Sequence, residues 1–300
     1  MRAFLWFCAA VVLALLLGAG IAYPAYRLAV EVHPFAFHRV AERVAMLVLA
    51  AELVWLCRRL DLRRRADFGY GLPRGRFLAQ ALLWGLAGMA TAALGAAFLL
   101  GARLRVAAPG LEPGIGVFTR MFLTGLASGV AVALIEETVM RGAMHTAIER
   151  ESGAWAAALL TAPLFAVLHF FAKASIPPAE LAWRSGFDLL LRSFVPLTHP
   201  ALVLDSFLSW LAVGLILSMT RVLTGNVAVA MGLHAGWVVV LRMLQLATVR
   251  NAATAGSFWV GRFDGILGYW MIPWSLAIAA ALWLTRGIWV GAAESRGGPG

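Results

Sequence analysis

The sequence predicts an all-α protein, a polytopic membrane helical bundle with about eight transmembrane helices. Three observations carry that expectation. Hydrophobic residues make up 62% of the chain against 13% charged, and the mean hydropathy is +0.83, whereas soluble domains sit near half apolar and a quarter charged. Apolar runs of about 20 residues, the length that crosses a hydrocarbon core of about 30 Å, recur from one end to the other. Between the second and third of them lies a concentration of arginines: Arg58, Arg59, Arg63, Arg64, Arg65, Arg74 and Arg76.

The expected spans fall at roughly 3–22, 40–57, 77–101, 117–140, 153–172, 201–220, 226–247 and 266–290. The first begins with a charged residue and a long apolar stretch, as a signal peptide does. That stretch exceeds a typical signal core, which favours a retained span. The arginine cluster belongs on the cytoplasmic side by the positive-inside rule. Counting spans outward from it places both termini in the cytoplasm, in keeping with Arg2 at one end and Arg286 and Arg296 at the other. The loops around Arg150 and Arg221 then face the cytoplasm too. Pro177, Pro178 and Pro196 break the outer segment 173–200.

The net charge of +10 has its source in these flanking loops, so membrane lipids are the expected partner and nucleic acid is not. Cys8 and Cys57 lie in apolar runs without CxxC spacing, which points to neither a disulfide framework nor a thiolate metal site.

Glu136 and Glu137 are the exception to this pattern. They sit side by side in a run (VFTRMFLTGLASGVAVALIEETVM) whose one other charge is Arg120. An ionised carboxylate near a bilayer centre costs a few kcal/mol even on lenient scales, so an intramembrane pair is a functional-site hypothesis by default. Arg141 follows Glu137 at i,i+4 on the same helical face, while Glu136 lies about 100° away and stays free. The turn signal Ser152-Gly153 reverses the chain, and His169 stands 16 residues after Gly153, as the glutamates stand 15 to 16 before Ser152. An antiparallel hairpin would bring them to one depth. Phe165 is one turn before His169. After the turn Thr224-Gly225-Asn226, His234 is flanked by Gly232, Ala235 and Gly236, which let a neighbouring helix approach. His145 reads as a surface histidine.

A desolvated carboxylate beside histidines can act as general base on a water. Neighbouring carboxylates in different environments commonly divide acid and base roles. Imidazoles can steady the water or an oxyanion. The same residues, Glu136, His169 and His234, are also a legitimate ligand set for catalytic Zn²⁺, and spacing leaves that alternative open. No HExxH motif is present.

Three segments, Glu136-Glu137-Thr-Val-Met-Arg141, Phe165-Ala-Val-Leu-His169 and His234 in GLHAGW, resemble the EExxxR, FxxxH and HxxxN/D motifs of the CPBP family. That family includes the CAAX-processing Rce1-type proteases and the Abi-type bacteriocin-processing or immunity proteins. The resemblance implies an intramembrane endopeptidase that hydrolyses a peptide bond with glutamate-activated water, in a cavity open to the cytoplasm. Glu136 would activate the water, His169 assist, His234 line the site, and Glu137 with Arg141 orient the first carboxylate. It implies no certain cofactor, since the family has been read both as metalloprotease and as metal-free. The implied partner is a peptide or protein substrate, such as a membrane-associated C-terminal tail, and the implied location is the bacterial inner membrane. The chain then divides into helices one to three (1–116), the catalytic core (117–247) and a last helix with its tail (248–300). One departure stands out: Val238 occupies the position where the family expects Asn or Asp. Trp237, next door, carries an indole N–H that could serve as substitute donor, and with Phe165 and Val238 it forms the expected substrate or oxyanion pocket.

Two rival functions share these residues. A proton- or ion-coupled transporter would use the carboxylates as a binding site, but the inverted repeats common in transporters are not evident. A catalytically inactive scaffold or immunity protein is consistent with Val238.

Overall fold

A computed structural model describes residues 1–112, 114–170, 174–261, 263 and 265–290. The Gly-rich tail with Arg296 and the end of the fifth expected span (171–172) lie outside these. The chain is an all-α helical bundle, and each of the eight expected spans holds a helix: α1 (Arg2–Val32), α2 (Phe37–Arg59), α3 (Arg74–Gly101), α4 (Ile115–Glu137), α6 (Ala154–Leu168), α8 (Pro200–Thr224), α9 (Ala228–Ala247) and α10 (Met271–Leu284). Among the described residues, five helical stretches are long and apolar enough to cross a membrane: α1, α3, α8, α9 and the continuous Ile115–Ser152. The helices Ala154–Leu168 and Met271–Leu284 are apolar but shorter. In α2, Arg39, Glu42, Arg43 and Glu52 interrupt the apolar run.

The chain folds as two compact units, Met1–Arg63 with Val167–Val203, and Arg64–Ala166 with the chain from Leu204 onward. In the first, α1 packs on α2, with Gly18 allowing the approach: a Cβ there would come within 2.8 Å of the Ala45 Cα. The short helix α7 (Ser185–Phe194) docks on α1, where Gly186 faces the Ala19 carbonyl too closely for any side chain. Ala22, Phe37, Ala41, Ile176 and Leu189 form the core of this unit.

In the second unit α9 is held against α3 and α4 by small residues rather than by large interlocking ones. A Cβ on Gly88 of α3 would lie 2.6 Å from the Leu233 carbonyl oxygen, and one on Gly129 of α4 would lie 2.6 Å from that of Ala235. Gly232 and Gly236 of α9 approach the Ala81 and Gly85 carbonyls at still shorter range. Where lipid is as apolar as leucine, close backbone packing is what holds helices together. At one end, β1 (Arg105–Ala107) pairs antiparallel with β2 (Thr248–Arg250). There the buried Arg105 donates from Nε to Thr248 Oγ1 and from Nη2 to its carbonyl, both at 2.6 Å.

The fourth expected span continues well past Met140. From α4 the chain passes without a break into a π-helical segment, Thr138–Met144, and then into α5 (His145–Ser152). Gly153, at φ +87°, ends this run and starts the reversal into α6. A left-handed φ is cheap for glycine alone. The turn is thus where the sequence places it, but the helix leading to it changes pitch on the way.

Candidate active site

Glu136 and Glu137 are the last residues of α4, at the mouth of the π segment. π turns are uncommon, occur mostly as single wide turns inside α-helices, and are frequent at functional sites. Glu137 and Arg141 are both fully buried, and Arg141 Nη1 donates to Glu137 Oε1 at 3.1 Å. The guanidinium's other donors go to α8: Nη2 to the Gly214 carbonyl at 3.0 Å and Nε to Ser218 Oγ at 3.4 Å. Its plane also lies over the Phe165 ring, 4.4 Å from the centroid. Phe165 therefore walls the ion pair, a favourable cation–π placement in a desolvated setting. Its ring meets His234 edge-on at 6.0 Å.

The buried His234 of α9 stands between the two carboxylates. Its Nδ1 is 2.8 Å from Glu137 Oε1, and its Nε2 faces Glu136 Oε2 at 4.0 Å. A carboxylate at Nδ1 favours the tautomer that carries its proton there, leaving Nε2 toward Glu136. Glu137 is thus committed to Arg141 and His234. Among the described residues, no hydrogen bond reaches Oε2 of either glutamate. Glu136 therefore keeps a buried acceptor atom 4.0 Å from the imidazole Nε2.

His234 also borders an apolar cavity within the second unit, lined by residues that include Ala92, Trp210, Trp237, Val238, Leu241 and Trp274. The Trp237 indole N–H donates to Thr91 Oγ1 of α3 at 3.0 Å, so that donor is already used. Val238 presents an apolar surface to the cavity.

His169 is placed in the turn just after α6, beyond the helix end at Leu168, and belongs to the first unit. Glu136, Glu137, Arg141, Phe165, Trp237, Val238 and His234 belong to the second. Among the described residues, no group of three His, Cys, Asp or Glu side chains is arranged to hold a metal ion.

Three features escape sequence reasoning. The π segment leaves no periodicity signature over seven residues. His145, expected at the surface, is fully buried, 3.9 Å from Glu149. Arg221, expected in a cytoplasmic loop, is buried inside the last turns of α8, where its Nε donates to the Arg141 carbonyl at 3.0 Å. An arginine inside an apolar run (LILSMTRVL) is the signal that could have found it.

Residues 118–240 match the family model described as Type II CAAX prenyl endopeptidase Rce1-like. No curated protein and no solved structure matches the chain.

Proposed function

We propose that this chain, an integral membrane protein whose residues 118–240 match the Rce1-like family model, is an intramembrane endopeptidase with a glutamate mechanism. A water is held between Glu136 Oε2 and His234 Nε2. Glu136 removes its proton as the oxygen attacks the scissile carbonyl, and later returns that proton to the leaving nitrogen. Glu137, fixed by Arg141, holds the imidazole through Nδ1, so His234 keeps one tautomer and one orientation. The apolar cavity beside His234 takes an apolar part of the substrate, such as a membrane-associated C-terminal tail. The arginine-rich segment 58–76 and both termini lie on the cytoplasmic side of a bacterial inner membrane, and the site opens to that side. Acidic lipids gather at the arginines.

One observation carries this reading: two adjacent glutamates have different environments, Glu137 held through Oε1 by an arginine and a histidine, and Glu136 with an acceptor oxygen that faces that histidine. The test is cleavage of internally quenched peptides ending in a CAAX sequence, prenylated and unprenylated, by purified protein in lipid nanodiscs. Wild type cleaves and Glu136→Gln does not, with or without a strong chelator. Cleavage that survives Glu136→Gln removes the proposed base, and cleavage lost to chelator and restored by Zn²⁺ replaces the mechanism with a metal one.

A second reading, an inactive scaffold or immunity protein, draws on the apolar Val238 and on the engagement of the Trp237 indole by Thr91. Failure of wild type to cleave any of these peptides favours it.

A further inference from the structure

A π-helical stretch that hands over to an α-helix skips one backbone carbonyl, and a buried carbonyl without a donor is costly. At this handover the Arg141 carbonyl accepts from Arg221 Nε, 3.0 Å away on α8. The same guanidinium reaches past the junction into α5, with Nη2 3.2 Å from Thr146 Oγ1 and 3.5 Å from Glu149 Oε2. It therefore grips the helix on both sides of the change in pitch. Arg221 also completes a stripe on α8. Gly214 and Ser218 accept from the Arg141 side chain and Arg221 donates to its backbone, at i, i+4 and i+7. That spacing covers one helical face, so one face of α8 holds Arg141 by backbone and side chain at once.

We propose that Arg221 is a positioning residue for the hydrolytic site. It acts by fixing the π segment, so that Arg141 meets Glu137 and Glu137 in turn sets His234 against Glu136. This rests on the protease reading above for its effect on turnover, but not for its effect on the helix. A lysine keeps the charge, but its three donors sit on one nitrogen, so it cannot span the carbonyl and the hydroxyl–carboxylate pair that Nε and Nη2 of the guanidinium reach separately.

The experiment compares wild type with Arg221→Lys and Arg221→Met in nanodiscs, by kinetics on the prenylated CAAX peptide and by amide hydrogen exchange over residues 138–146. The expected result is a kcat lower by about 10- to 100-fold in Arg221→Met, with KM within about twofold of wild type and partial recovery in Arg221→Lys. Exchange over 138–146 quickens by about tenfold or more in both variants while the rest of α4 and α9 keeps its protection. Unchanged exchange in this segment overturns the proposal, as does a kcat within about twofold of wild type in both variants. If Arg221→Met does not fold, the lysine variant decides. If wild type cleaves no peptide, the protease reading fails, and the exchange measurement still decides whether Arg221 holds the segment.

Discussion

His234 Nδ1 lies 2.8 Å from Glu137 Oε1, and this hydrogen bond ties the middle of α9 to the end of α4. The carboxylate that receives it also receives Arg141. Glu137 is thereby the hub of a three-residue chain (guanidinium, carboxylate, imidazole), buried in a setting where such bonds are strong and a missing partner is expensive. The neighbouring Glu136 is in a different position: its Oε2 faces His234 Nε2 at 4.0 Å, while the direct ion pair of Arg141 goes to Glu137.

The two glutamates are expected to fail in different ways. Glu136→Gln should abolish peptide cleavage while leaving the detergent-solubilised melting temperature near that of wild type. Glu137→Gln should lower both, because it takes away the charge that Arg141 and His234 are arranged around. Kinetics and thermal melting on both variants check this, and equal behaviour of the two would contradict the division of roles.

Arg141→Met should destabilise the fold by about 3–5 kcal/mol, the usual penalty for leaving one charge of a buried pair without its partner. Removing both, in Glu137→Met with Arg141→Met, should recover much of that stability without recovering activity. Denaturant unfolding of the single and double variants gives the comparison.

Gly236→Leu should separate α9 from α3, because the added side chain would meet the Gly85 carbonyl and the Met89 amide. As His234 lies two residues earlier on α9, the displacement would reach the site directly. The expected outcome is loss of activity and weakened folding, whereas Gly101→Leu, with nothing within 4 Å, should leave both unchanged.

Val238→Asn would place an amide donor in the apolar cavity beside His234. If a missing oxyanion donor limits turnover, kcat should rise by about tenfold or more. The same substitution should lower stability by about 1–3 kcal/mol, the cost of burying an amide with incomplete hydrogen bonding. A variant that loses stability and gains no rate would show that the oxyanion is held elsewhere.

Hydrophobic length made the bundle legible, since about 20 apolar residues have few other uses, and all eight expected segments hold helices. The same rule says little about where a helix stops. It carried the fifth span past Leu168, where α6 ends and His169 sits in a turn. The glutamates announced themselves because burying charge in lipid demands a reason. Arg221 is as costly to bury, but it falls near a span end, where positive residues are expected at the membrane surface, so its burial was hidden by an ordinary explanation. His145 was hidden in the same way. The engagement of Trp237 by Thr91 is a contact across 146 positions, and such pairings leave no trace in local spacing.

The π segment gives this helix one residue more than a regular coil of the same rise would hold. In an α-helix each residue advances the face by about 100°, so deleting a single position between Thr138 and Met144 would let the helix heal into ordinary pitch. The residues beyond Met144 would keep their faces relative to α4, because the widened turn had already absorbed the extra residue. A deletion at Thr138, Val139 or Met140 would instead shorten the spacing from Glu137 to Arg141 by one residue and remove the skipped carbonyl that Arg221 serves, although no side chain had been chemically altered. The site is therefore written partly in the phase of the backbone, and a one-residue indel there is a graver change than most substitutions.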